Sequence, residues 1–527
     1  MAKNISKVYL LNVPLEDDMR NTLYFTSVAN QHSYFVDNIG KTYNNVSYQS
    51  ESRTFRCPDQ IDTLRQYNYI MYQNSAYSNK WFYGFIKNME YVSDGYTDVI
   101  FEVDPLQTYM FDITVNPSFV EREHTNDDTI GNNVIDEGLQ LGEFVCNTGD
   151  TGVIEYGASP EGDYNLVTFQ VTNLVNGLGQ ASNTRNLSGI YTGLYMFGVR
   201  PQYADKIIDA YASDGKSDSI VAIFYAPGKF FDARVQTTSL PGQVGEVYYS
   251  PVTTSDYAVN LTSPTNISIN TTFGSYSPRN AKLYTYPYNY LHMTNNAGTD
   301  VIYHYEDFAS NTPSFFITGS ICQGCSIRLI PLNYKGHAEA YAFGMVGGKL
   351  PICAWASDYY TNWVTQNAAN HAMTLTSSAL GLAFSPASVE GAVLGGISTF
   401  NQIGNLMAEY SRAEKIPDQA KGNVNCGDVN FSARRYWFHY GRMHIKESIA
   451  KCIDDYFDMF GYKTCRVKVP NVAHRQNWWY TKTVSANITG NVPNDEMNKI
   501  KEAYNNGLTF WRNPANFLNY SVSNGVV

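Results

Sequence analysis

The sequence predicts a mainly β, multidomain protein with a few helices. Three observations carry this. Short apolar and aromatic runs recur through residues 1–120 and 150–355, each closed by Gly, Pro, Asn or Ser. Tyr occurs 42 times in 527 residues, and its apolar ring with a polar tip suits half-buried sheet faces and interfaces. Asp94-Gly95 falls between two aromatic runs, a strong hairpin signal. Strands at this density predict barrels or sandwiches. A chain of 527 residues also exceeds what one hydrophobic core serves, so two to four domains are expected.

The elements follow in chain order. "KVYLLNVPL" is a strand ending at Pro14. "YNYIMYQ" (67–73), "WFYGFIKNMEYV" (81–92) and "YTDVIFEVDPL" (96–106) are strands, the last two joined by "SDG". "LQTYMFDI" (106–113) reads as a helical turn, and "SFVEREH" (118–124) alternates like an exposed strand. The first 120 residues are thus expected to be strands. Residues 125–150 turn polar and Gly/Asn-rich, which predicts a long loop or boundary. Between 150 and 355 one helix is expected, "PQYADKIIDAYAS" (201–213), with Tyr203, Ile207, Ile208 and Tyr211 at helical spacing. Near the C-terminus "KESIAKCIDDYFDMFGYK" is the clearest helix. Ile445, Ile449, Cys452, Ile453, Tyr456, Phe457 and Phe460 line one face, and Gly461 stands where a C-cap belongs. "CRVKVPNV" and "WWYTKTVSANITG" are strands. A last helix begins after Pro493-Asn494, with Asp495 and Glu496 in its first turn, and runs to Asn506-Gly507. The resulting division is an N-terminal β domain over 1–150, a middle β-rich region over 151–364, an apolar segment over 365–430, and a C-terminal α+β segment over 431–527.

The apolar segment breaks the pattern. From Tyr359 to Ala408 the only charged side chain is Glu390. Val389, Val393, Gly396, Phe400, Ile403 and Met407 step by 4, 3, 4, 3 and 4, making one apolar stripe. Ser398, Asn401, Gln402 and Asn405 populate the other side. Gly391, Ala392, Gly395 and Gly396 allow close helix approach, as inside membranes. A buried helix pair in an oligomer core and a lipid-inserted segment both fit, because both environments penalise charge.

Charge and cysteine narrow the function classes. The formal net charge of -11 argues against a static nucleic-acid binder, which needs a basic surface to neutralise phosphates. A surface that nucleic acid slides past is compatible with it. The eight Cys show no disulfide framework. Cys322 and Cys325 form one CxxC without a second ligand pair, so buried or free thiols are favoured over zinc or redox chemistry. "MAKNISKVYLLNVPLEDD" lacks a secretory leader pattern, and synthesis in a cytoplasm is expected.

The search for catalysis is negative. No GxSxG, Walker A, HExxH or GxGxxG motif occurs. The densest polar cluster, "EREHTNDD", holds Glu121, Arg122, Glu123, His124, Asp127 and Asp128. On a strand Glu121 and Glu123 share one face while Arg122 and His124 share the other. That pattern suits a salt-bridged subunit interface or surface charge better than a catalytic or metal site. His439 and His444 read as structural histidines, and "NWWY" (477–480) as alternation in a strand. No enzyme activity, cofactor or metal is expected.

Two stretches carry a family resemblance. "FEVDPLQTYMFDITVNPSFVEREHT" (101–125) and "YFDMFGYKTCRVKVPNVAHRQNWWYTKTVSANITGNVP" (456–493), continued by "NKIKEAYNNGLTFWRNP", resemble the tail knob proteins of phi29-like short-tailed phages. The resemblance implies a hexameric tube at the distal end of a virion tail, built from β-barrel modules that line a DNA channel. It implies apolar loops that plug the channel and then enter the host membrane as a pore. By position and composition it assigns the plug role to Leu380, Phe384, Val389, Glu390, Val393, Leu394, Ile397, Phe400 and Ile403. Six copies of Glu390 would form a carboxyl ring, and acidification is expected to help insertion by neutralising it. The implied partners are five further copies of the chain, the upper tail and connector proteins, membrane lipid, and double-stranded DNA passing without sequence-specific binding. The alternative is a receptor-binding or cell-wall-degrading tail protein.

Overall fold

The computed structural model describes residues 6–46, 48–49, 53–74, 78, 80–155, 165–175, 178, 186–187, 190–191, 193–228, 231, 235–236, 247–249, 264–319, 327–347, 350, 352–357, 419–422 and 436–527. The chain is mainly β and divides into two compact units. One comprises Met1–Val145, Thr271–Asn289 and His444–Val527, and the other Cys146–Asn270 and Tyr290–Met443.

In the first unit the predicted strands form an antiparallel sheet. Its order among the described residues is Ile39–Val46, Ser6–Leu11, Tyr69–Asn74, Trp81–Ser93, Tyr96–Val103, Thr54–Cys57 and Tyr48–Gln49. Ser93 pairs with Tyr96 across Asp94-Gly95, so the hairpin closes where the turn residues predict. A second sheet is woven from both ends of the chain. It runs Asn21–Leu23, Leu508–Trp511, Trp478–Ser485, Ser118–Glu123, Tyr462–Lys468, and only its first pairing, Asn21–Leu23 with Leu508–Trp511, is parallel. Trp478 and Trp511 are fully buried beside Leu23, Phe35, Tyr69 and Tyr83. Each such aromatic contributes about 2–3 kcal/mol of apolar burial.

Three findings differ from the sequence expectation here. The first 120 residues are not all strand, since Val28–Asp37 is a helix. Ser27 caps it by accepting the Asn30 N–H, and Phe35 stacks on Tyr69 with ring centroids 5.5 Å apart. Ser118–Glu123 is not an exposed strand, because strands flank it on both sides. The clear C-terminal helix, Glu447–Phe460, turns Ala450, Ile453, Asp454 and Phe457 inward. Cys452, expected on that face, is exposed, and Ile445 belongs to the preceding strand, where its N–H bonds the Tyr288 carbonyl.

The helical turn Pro105–Thr108 is set by Asp104 at its N-cap and Pro105 in its first position. Asn494–Asn506 is the expected last helix, with Met497, Ile500, Ala503 and Tyr504 buried.

The second unit has its own core. Val235–Gln236, Val247–Tyr249, Tyr195–Val199, Asn165–Val171, Ile220–Pro227, Ile352–Ser357 and Gln419–Gly422 form an antiparallel sheet in that order. The helix Ala204–Ser213 buries Ile207 and Tyr211 in a cluster with Phe169, Phe197 and Ile220. A further sheet centres on Ser314–Gly319 and Ile327–Tyr334. The strand Phe438–Ile445 pairs with Thr151–Ile154 in this unit. Gln419–Gly422 falls inside the stretch expected to be an apolar loop. It is a strand, and it pairs with Ala354–Ser357.

Candidate functional site

Two regions were expected to matter, the apolar segment and the "EREH" cluster. Leu380, Phe384, Val389, Glu390, Val393, Leu394, Ile397, Phe400 and Ile403 lie outside the described residues, as do Cys322 and Cys325. What is described is a strand before the apolar segment, Ile352–Ser357, and one within its expected bounds, Gln419–Gly422. Ala354 pairs with Gly422 and Ser357 with Gln419, antiparallel. Ser357 and Gln419 therefore lie side by side, at the edge of this sheet. Among the described residues no helix is long and apolar enough to cross a membrane.

Glu121, Arg122, Glu123 and His124 are described in full. A register shift between Val120 and Arg122 breaks the strict alternation expected of the strand. Arg122, Glu123 and His124 are all buried, and only Glu121 stays half-exposed. Each has partners inside the first unit. The Glu121 carboxylate meets Lys482 Nζ at 2.9 Å. Glu123 accepts from the Asn471 N–H at 2.8 Å and from the Lys468 ammonium. Arg122 donates to the Gly461 carbonyl at 2.8 Å and to the Glu137 carboxylate, and its guanidinium lies 4.8 Å from the Tyr456 ring centre. His124 Nδ1 accepts the Tyr480 N–H at 2.7 Å, so Nε2 carries the proton and donates to the Asp458 carbonyl at 2.9 Å. Burial, with the nearby Arg475 charge, pulls the His124 imidazole down to about 3, so it is neutral.

This cluster is one end of a larger buried network. The Glu137 carboxylate, wholly withdrawn from solvent, also accepts from the Lys282 ammonium and, at 2.9 Å, from the Lys463 N–H. Lys282 donates in addition to the Ile135 carbonyl at 2.7 Å. Burial lowers the Lys282 ammonium from its ordinary range, and the Glu137 charge opposes that shift. Asp454 takes the Arg279 N–H at 2.7 Å, the Asn280 amide at 2.7 Å and the Tyr276 hydroxyl. The Tyr462 hydroxyl donates to Asp128, whose carboxyl burial raises.

The network joins all three chain segments of the first unit: 118–137, 276–282 and 454–482. Its carboxylates are occupied by Lys, Arg, hydroxyl and amide donors. Among the described residues no group of three or more His, Cys, Asp or Glu side chains is placed to hold a metal ion. The network cross-links these segments by charge-assisted hydrogen bonds.

Sequence reasoning named Asp128 in the polar cluster but missed Glu137, Lys282, Asp454 and Tyr462 as members of this network. A signal for Asp454 existed, since it lies beside Ile453 and three residues before Phe457 on the apolar face. A signal for the 125–150 stretch was Leu139 and Leu141, which pack against the cluster around Ile445 and Phe457.

Comparison with known proteins adds the context. The family model for the C-terminal domain of tail knob protein gp9 of Bacillus phage phi29 matches residues 249–525. A model of the caudoviral major tail protein N-terminus matches residues 4–114. Tail knob protein gp9 of Bacillus phage B103 is 25% identical over an alignment covering 95% of each chain. Its counterpart in Bacillus phage PZA is 24% identical, with 98% of this chain and 97% of the relative covered. The solved structure of the bacteriophage C1 tail knob protein gp12 superposes with a TM-score of 0.65 at 15% identity, covering 99% of this chain and all of that one.

Proposed function

The chain belongs to the family of the phi29 tail knob protein gp9, and from that premise we propose that it forms a hexameric tube at the distal end of the phage tail and carries a membrane-active plug. It is a structural tail knob component of a phage virion. The proposal adds that six copies enclose a channel through which DNA leaves. It adds that residues within 358–418 fill the lumen before infection and enter the host membrane afterwards.

One observation carries the plug. Ile352–Ser357 and Gln419–Gly422 are paired, so the segment between them begins and ends at one place on a folded domain. An excursion anchored this way can be long without disturbing the sheet that holds it. Its composition, uncharged but for Glu390 from Tyr359 to Ala408, suits a site dry in both states. Packed inside a tube, six copies shield one another from water. In lipid, helices with small-residue faces satisfy their own backbone groups. The lone Glu390 supplies a titratable ring, and its neutralisation favours lipid entry.

Electron microscopy of the purified protein tests the tube, and six-fold rings with an occluded lumen are expected. Rings of another order, or none, would sink it. Leakage of liposomes by a peptide spanning Ser378 to Arg412 tests the plug, and no leakage between pH 4 and pH 8 counts against membrane entry. Glu390→Gln is expected to flatten the pH dependence of that leakage.

A further inference from the structure

The exposed tip of the Trp81–Val103 hairpin and the outer strand of the second sheet both have an open side among the described residues of the first unit. The strand Trp81–Ser93 is flanked by Tyr69–Asn74 only as far as Phe85. Beyond Ile86 its described neighbours lie on one side alone, along Tyr96–Val103. This arm exposes Tyr91, Val92 and Tyr96, with Tyr91 61% accessible. Its one cation, Lys87, is engaged by Asp17 and Glu102. Glu90 and Asp94 have no cation partner among the described residues.

The strand Tyr462–Lys468 is the last of its sheet and pairs only with Ser118–Glu123. Val467, 72% accessible, sits directly across from the exposed Phe119. Lys463 and Arg466 on this strand have no acidic partner among the described residues, in a unit where most other cations are paired. An open edge with apolar side chains is a site for association unless something covers it.

We infer that the acidic hairpin arm of one copy of this chain docks on the basic edge strand of the next. Glu90 and Asp94 meet Lys463 and Arg466, while Tyr91, Val92 and Tyr96 cover Val467 and Phe119. Charge complementarity selects this occupant: a chain of net charge -11 offers its basic edge to its own acidic arm. Arm and edge are different surfaces, so the contact is heterologous and propagates from copy to copy until a ring closes. The inference rests on the proposed ring and names the surfaces that build it.

The test uses two charge-reversed full-length chains, E90K/D94K and K463E/R466E, with native mass spectrometry as the readout. Each chain alone places like charges on arm and edge. Each is expected to stay monomeric where the wild type assembles, with association weakened about 100-fold or more. A one-to-one mixture restores opposite charges at every contact and is expected to reassemble with alternating subunits. Circular dichroism confirms that each variant is folded. Folded variants that assemble unmixed like wild type overturn the contact, as does a mixture that fails to recover. A wild type that stays monomeric at every concentration instead overturns the ring itself.

Discussion

His124 Nδ1 accepts the backbone N–H of Tyr480 at 2.7 Å, which ties the end of one strand to its neighbour through a neutral imidazole. Burial holds the ring's pKa at about 3, while the unfolded chain protonates near the ordinary 6.5. The unfolded state therefore binds the extra proton between those values. Stability from this group is complete above about pH 6.5 and is lost as pH falls toward 3, by about 1.4 kcal/mol per pH unit. His124→Leu leaves the Tyr480 N–H unpartnered and is expected to cost about 1–3 kcal/mol at pH 7. In urea unfolding at pH 7.0, 5.5 and 4.5 the gap between wild type and variant should narrow with acid. An unchanged gap would remove His124 as a source of acid sensitivity.

Glu137 neutralises two buried cations, Arg122 and Lys282. Removing one partner of such a cluster strands the others in a dry site, which costs about 3–5 kcal/mol. Glu137→Ala is therefore expected to lower the denaturation midpoint strongly. Glu143→Ala, which breaks an exposed pair with Lys446, is the comparison and should leave the midpoint in place. Equal effects of the two would mean that the buried network does not hold the first unit together.

Asp104 has the opposite pH sign from His124. Its carboxylate accepts the Tyr69 hydroxyl at 2.9 Å and the Gln107 N–H at 3.1 Å, yet burial dominates and raises it to about 6. With the folded value above the unfolded 3.8, its contribution is full below pH 3.8 and is lost as pH rises through about 6. At neutral pH the buried charge costs about 2–3 kcal/mol. Asp104→Asn keeps an N-cap acceptor for the helical turn without the charge. The variant is expected to melt higher than wild type at pH 7.5, with the advantage gone near pH 4. A lower melting point at pH 7.5 would show that the ionised form is the better cap.

What was legible in the sequence was local. Asp94-Gly95 predicts its hairpin because a two-residue turn is encoded by those two residues. Glu447–Phe460 is legible from the spacing of Ile453 and Phe457. Val28–Asp37 was not, because Tyr34, Phe35 and Val36 are β-prone residues. Its helix is held by Phe35 packing against Tyr69 and Tyr83, contacts made far along the chain. The "EREH" motif announced a charge cluster, but not its partners. Tyr462 and Asp128 are 334 residues apart, and Glu137 and Lys282 are separated in sequence by Cys146–Asn270, which belongs to the second unit. No periodicity encodes such a pairing. The apolar run around Glu390 lies outside the described residues.

Gly461 gives the sharpest test of how tightly the network is built. It ends the Glu447–Phe460 helix with φ 64° and ψ -156°, a conformation closed to side chains. A Cβ there would collide with the Glu123 carbonyl and the His124 N–H, which are backbone atoms fixed in the sheet and cannot swing aside. The Gly461 carbonyl in turn receives the Arg122 guanidinium at 2.8 Å. Gly461→Ala thus adds backbone strain of about 1–3 kcal/mol to the steric displacement of Glu123 and His124. The variant should unfold at markedly lower denaturant or accumulate as insoluble protein. Gly95→Ala is the control, since nothing lies within 4 Å of a Cβ at the hairpin tip. If Gly461→Ala is as stable as Gly95→Ala, the strand and the helix end are not locked together at this point, and the role assigned to Arg122 fails with it.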